Sequence, residues 1–98
     1  MKKNFVLSHP KKNYPRLIEE AKNEVKKYIK QERAKALPEG ADFWGFDCKF
    51  GQVESKAREI HEGDIKVNIS TAQSQNWKSF YLEVVPTPKT RMKRPKED

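Results

Sequence analysis

The side chains that most often carry nucleophilic or metal chemistry are sparse in this chain: His9, Cys48 and His61 are its only histidine and cysteine residues. None of the spacings CxxC, HxH or HExxH occurs, so no metal site is written in the sequence. Cys48 falls in phase with Trp44, Phe46 and Phe50 in an alternating run, the position of a buried structural thiol. One cysteine also leaves no partner for an internal disulfide. His9 precedes Pro10 and His61 follows a predicted strand end, which places both at the surface. Asp42 and Asp47 lie near Glu39, but no spacing separates an acid from a base. The four glycines are scattered rather than gathered into a phosphate loop. Nothing names a nucleophile and nothing requires a cofactor. An enzyme built on His9, His61, Asp42 and Asp47 is therefore the last of three readings.

Charge is the stronger signal. The chain carries 21 Lys and Arg against 14 Asp and Glu, a formal +7, and such an excess favours polyanions. Three groups of cations could hold phosphate. Lys22, Lys26, Lys30 and Arg33 recur at steps of four, four and three along a predicted helix, a row suited to a phosphate backbone and expected opposite Ile18, Val25 and Ile29. Against that stands a plain solvated face, with Glu19, Glu24 and Glu32 close enough to pair, for instance Glu19 with Lys22 and Glu24 with Lys27. Lys11 and Lys12 stand just before the helix start, where free N–H groups and the helix dipole favour an anion beside Ser8 and His9. Lys89, Arg91, Lys93, Arg94 and Lys96 crowd the last 13 residues, which hold +3 of the +7. That segment has three of the six prolines and only Met92 to bury, so a disordered basic tail is expected over 87–98.

Aromatic side chains on an open sheet face could stack on bases, and Phe43 and Tyr81 are the candidates, with Lys49 and Arg58 nearby. The central-strand pattern of RNA-recognition domains is not met. Trp44-Gly45-Phe46-Asp47 has Trp where a basic residue belongs and an acid where the second small residue belongs.

The elements that must position these groups are legible from periodicity. Lys3 to Ser8 is a short strand with Phe5 and Leu7 on one face. Asn13 and Pro15 start a helix in which Leu17, Ile18, Ala21, Val25, Tyr28, Ile29, Ala36 and Leu37 recur at three- and four-residue steps until Leu37-Pro38 and Gly40. Residues 43–50 alternate as a central strand, and Ser55 to His61 is a weaker, charged edge strand. Residues 62–78 fit either period, since Ile65, Val67 and Ile69 alternate while Ile65, Ile69 and Ala72 share a helical face. The unbroken run after Asp64 favours a helix from 64 to 77, at the cost of turning Val67 outward. Ser79 to Val85 is a strand with Phe80, Leu82 and Val84 inward, closed by Pro86 and Pro88. The order β-α-β-β-α-β predicts an α+β, ferredoxin-like split βαβ sandwich, with two helices on one face of a four-stranded antiparallel sheet. A single domain over 1–86 accounts for the ordered part. If 62–70 is a strand, the order becomes a one-helix meander.

Size and composition bound the rest. With 35% hydrophobic and 36% charged residues the core must be small, and 98 residues exclude a two-domain enzyme with a deep cleft. Ten aromatic residues still argue for a folded chain. No run approaches the ~20 apolar residues of a membrane span, and MKKNFVLSHPKK turns polar too soon for a signal peptide, so a cytoplasmic protein is expected.

The blocks FVLSHPKK (5–12), NEVKKYIKQERAKALPEGADFWGFDCKFG (23–51) and SFYLEV (79–84) resemble a family of small bacterial cytosolic proteins known only as a domain of unknown function. The most specific part is the basic helix followed by LPEG (37–40) and FWGFDCKFG (43–51). The resemblance implies a bacterial origin and a free-standing domain, and carries over no activity and no binding residue. Taken together, the residues point first to a non-enzymatic module binding RNA or single strands through the tail, Lys11, Lys12 and the Lys22–Arg33 row. The alternative is a protein-interaction or self-assembly module using exposed Phe43, Tyr81 and Val85 or a sheet edge.

Overall fold

The structure is a computed structural model and describes residues 1–90. Its elements are β1 (Lys2–Val6), α1 (Tyr14–Arg33), β2 (Phe43–Gly51), β3 (Arg58–Ile60), α2 (Ile65–Ser74) and β4 (Ser79–Lys89), with 3-10 turns at Glu54–Lys56 and Glu62–Asp64. The fold is α+β, in the element order that the periodicities predict.

At the start of α1 the Asn13 side chain accepts the Arg16 N–H at 3.0 Å, with Pro15 in the first turn where its missing N–H costs nothing. The helix ends at Arg33, four residues before Leu37. The Ala34 and Lys35 N–H groups turn back to the carbonyls of Lys30 and Glu32, and Gly40 takes a φ of 87°. Residues 62–78 resolve as a 3-10 turn and α2, and Val67 is 63% exposed, the expected cost of the helical choice. Asn68, Thr71 and Ser74 are poor helix formers that bond back to the carbonyls of Asp64, Val67 and Thr71. Asn76, at a φ of 56°, then turns the chain. The N–H groups of Asn76 and Trp77 close on the carbonyls of Gln73 and Ala72, a Schellman end that sets the place of Trp77.

The strand order is β1-β4-β2-β3, antiparallel throughout. A ferredoxin-like sheet, as expected from the element order, would set β1 and β3 in the middle. Here β4 and β2 are central, and composition gives the reason. β1 begins Lys2-Lys3-Asn4 and β3 is Arg58-Glu59-Ile60, charged segments suited to edges, whereas Phe80, Tyr81 and Leu82 of β4 are buried on both faces.

β4 also runs through Pro86 and Pro88, the residues expected to close it, so 87–89 belong to the sheet and not to a tail. The Val84 N–H donates to the Met1 carbonyl at 2.7 Å, which directs even-numbered N–H positions of β4 toward β1. Two and four residues on, the same side lies beyond the start of β1, where a proline lacks nothing it could have donated.

One core unites the molecule. Ile18, Ala21 and Val25 of α1 and Ile65, Ile69 and Ala72 of α2 pack with Phe5, Phe46, Cys48, Phe50, Phe80, Leu82 and Val84. Phe80 stacks on Phe5 at 4.9 Å and meets Phe50 at 5.3 Å.

Candidate functional site

Between α1 and α2 lies a groove of about 580 Å³. Its floor is Val25, Ile29, Ile65 and Ile69, and its walls carry Lys22, Lys26, Lys30 and Arg33 from α1 with Lys66 from α2. The cation row therefore does not lie opposite Ile18, Val25 and Ile29, as expected from the sequence. At 100° per residue its centre is only about 75° round α1 from those residues, so it forms a shoulder of the core face. The lysines at 22, 26 and 30 rise about 6 Å apart along the axis.

The expected neutralisation of this row also fails. Glu24 is drawn to Lys3 of β1 at 2.6 Å, Glu32 to Lys35, and Glu20 to Lys12 at 3.0 Å. Among the described residues Lys22 meets the Ser70 hydroxyl at 3.2 Å and no carboxylate, and Lys26, Lys30 and Lys66 make no ion pair. Arg33 differs. It donates to Glu62 at 2.9 Å and lies 5.4 Å from the Phe46 ring centroid. Glu62 is the one acid lining the groove among the described residues. The floor is already nearly closed, with Val25 at 3%, Ile65 at 4% and Ile69 at 0% exposure. The groove surface that remains is mostly apolar carbon, from half-buried Ile29 and the lysine stems, and the charge sits at the ends of those stems.

The other sequence-singled cations do not join it. Lys12 is held by Glu20, whose carboxyl the Lys12 hydrogen bond keeps below the usual carboxylate range. Lys11 is exposed, its N–H bonded to His9 Nδ1 at 3.0 Å. Lys89, assigned to the tail, lies in β4 and reaches Asp47 at 3.3 Å across Gly45, where a Cβ would sit 2.5 Å from the lysine chain. Arg91, Lys93, Arg94 and Lys96 lie outside the described residues.

The open sheet face is of another kind. Tyr81, one of two stacking candidates, is 4% exposed and gives its hydroxyl to Glu83 at 2.6 Å, which with burial pushes its pKa up to about 12. Phe43 and Val85 keep 39% and 38% exposure. Glu59, Lys49, Glu83 and Lys2 are register partners across all four strands, alternating in sign. Asp47 accepts from Thr87 at 2.8 Å and from Lys89, which hold its carboxyl below the usual range. Cys48 is buried, with its thiol pushed up to about 11 chiefly by desolvation, as a structural thiol should be. His61 Nδ1 caps the Gly63 N–H at 3.0 Å, a turn role like that of His9. Among the described residues no cluster of three His, Cys, Asp or Glu side chains could hold a metal, and no helix is long and apolar enough to cross a membrane.

The model of a family of unknown function, DUF6172, matches residues 1–95. The chain belongs to that family. No curated protein and no solved structure matches it. Family membership assigns no activity, so the roles of residues here rest on geometry.

Three residues of interest escaped the sequence reading. Lys66 and Glu62 sit in a segment whose helical or extended state decides their side, and only its folding as turn and helix brings them to α1. Trp77 follows Asn76, and the one available signal was the preference of Asn for the left-handed end of a helix.

Proposed function

We propose that this domain is a non-enzymatic module that binds single-stranded nucleic acid along the α1–α2 groove. The observation that carries the reading is the convergence of Lys22, Lys26, Lys30 and Lys66 on one groove without carboxylate partners among the described residues. Cations not already paired release condensed counterions when they neutralise phosphates, which is the main source of sequence-independent affinity. A groove of about 580 Å³ takes one strand rather than a duplex edge-on. No aromatic side chain lines it, so the groove reads the backbone and not the bases. Residues 91–98 add further cations in sequence and extend the same attraction.

Fluorescence anisotropy with a labelled single-stranded oligonucleotide tests this. Binding is expected at low salt, with log K falling against log salt by a slope of about −3 for four lysines on a single strand. A chain lacking 91–98 separates the tail from the groove, because β4 ends at Lys89 and stays intact. Absence of binding at about 50 mM salt, or binding unaffected by removal of the groove lysines, rejects the reading.

A further inference from the structure

The opposite flank of α2 carries a second recess, of about 470 Å³, lined by Phe50, Lys56, Arg58, Asn68, Thr71 and Trp77 among others. Asn68 and Thr71 lie about 140–160° round α2 from Lys66 at 100° per residue, so the helix separates this recess from the basic groove.

Trp77 is held from three sides. Its N–H closes on the Ala72 carbonyl at 3.0 Å and its own carbonyl accepts the Tyr14 hydroxyl at 2.8 Å. Its ring stacks on Phe50, with centroids 6.0 Å apart and planes 15° from parallel. The side chain remains partly exposed, and its indole N–H has no acceptor among the described residues, unlike that of Trp44, which donates to the Lys35 carbonyl at 2.9 Å. An indole fixed this way loses little freedom when a second planar ring stacks on it. Lys56 and Arg58 stand on the same recess, exposed and without an ion pair among the described residues. Glu59 is the acid that lines it, and in the sheet it is the register partner of Lys49.

We propose that this recess is a nucleotide site, in which a base stacks on Trp77 and the attached phosphate is taken by Lys56 and Arg58. The recess supplies both parts that the basic groove lacks in combination: a π-surface that accepts any base, and cations set beside it. The ligand chemistry is a planar ring carrying a phosphate, from a free nucleotide or from one residue of a strand. The assignment stands independently of the groove.

The test follows the Trp77 indole ¹⁵N–¹H signal, assigned with Trp77→Phe, in the full chain. Saturable movement with AMP is expected, at a dissociation constant of about 0.1–1 mM. Adenosine and ribose 5-phosphate should each bind roughly ten-fold or more weakly, since each lacks one half of the recognition. Lys56→Ala with Arg58→Ala, on exposed residues, should weaken AMP by a similar factor with unfolding unchanged. A short adenine oligonucleotide binding at least about ten-fold tighter than AMP identifies a strand as the source, and equal affinity identifies a free nucleotide. No movement with about 10 mM AMP or with the oligonucleotide, movement equally strong with inorganic phosphate alone, or movement unaffected by the double variant overturns the site. If the groove binds strands and Trp77 stays still, this inference fails and the groove reading stands.

Discussion

On the open face of the sheet, Glu59, Lys49, Glu83 and Lys2 face one another in register, each acid beside a base. In the α1–α2 groove, Lys22, Lys26, Lys30 and Lys66 gather, among the described residues, with one acid, Glu62, already taken by Arg33. Both regions are rich in charge, and what separates them is partnering. A row of alternating sign on a flat sheet produces little field beyond its own surface, because each charge is screened by its neighbour within a few ångströms. Cations along two facing helix walls, unpaired among the described residues, add their fields over the groove. The difference shows why total charge is a poor guide to where a polyanion binds, and why the partner of each carboxylate has to be known.

Five sets of substitutions break or sharpen this contrast. Ile69→Ala, at the fully buried floor of the groove, should cost about 2–5 kcal/mol of stability by denaturant unfolding. Binding by the molecules still folded should be little changed, because the floor holds the walls and does not meet the ligand. Replacing Lys22, Lys26 and Lys30 by Ala should lower oligonucleotide affinity roughly 10–100-fold at low salt and flatten the salt slope by about 2. The pair Lys2→Ala with Lys49→Ala on the sheet face should change affinity less than about three-fold, and equal losses per charge removed from the two sets would mean that net charge alone governs binding. Glu62→Gln releases Arg33 and should raise affinity several-fold, with a steeper salt slope by about 0.7, as one further phosphate contact requires. Lys49→Glu sets three acids in a row on the sheet and should destabilise by under about 1 kcal/mol in thermal unfolding while leaving binding alone.

A pH prediction follows from Cys48. Its folded thiol is raised to about 11 by burial, above the unfolded value near 8.5. The folded state therefore retains a proton that the unfolded chain gives up. Its contribution is complete below about pH 8.5 and is lost as pH rises toward 11. Cys48→Ala should flatten that alkaline decline in stability, and a thiol reagent at neutral pH should leave the native protein almost unmodified.

Much of the fold could be read from the chain because local chemistry governed it. Asn13 and Pro15 mark the start of α1, Leu37-Pro38 and Gly40 bound its end only to within four residues of Arg33, and the alternation of 43–50 and 79–85 defines two strands with the correct faces inward. The unbroken run after Asp64 predicts a helix over 64–77, and α2 forms over Ile65–Ser74 because Ile65, Ile69 and Ala72 share a face that meets the core. The ferredoxin-like order did not follow from the same information. Element order does not say which strands pair, and it was the double-sided burial of β4 against the charged edges of β1 and β3 that set the sheet. Pro86 and Pro88 read locally as stops, and become compatible with a strand only because β1 does not extend beside them.

The candidate sites divide in the same way. Residue type and spacing determined the cation row at 22, 26, 30 and 33, the buried thiol of Cys48 and the absence of motif-grade catalytic spacing, since each depends on chemistry or on periods within one segment. Whether that row is neutralised depended on distant chain. Glu24 left it for Lys3, 21 residues away, and Glu62 reached Arg33 from 29 residues away. Lys66 became a wall of the groove through the packing of α2 on α1, and Lys89 was withdrawn into the sheet by Asp47. Charge partnering is a through-space property with a range of a few ångströms, so the tertiary structure alone decided which of these cations have no carboxylate partner among the described residues and face a common groove.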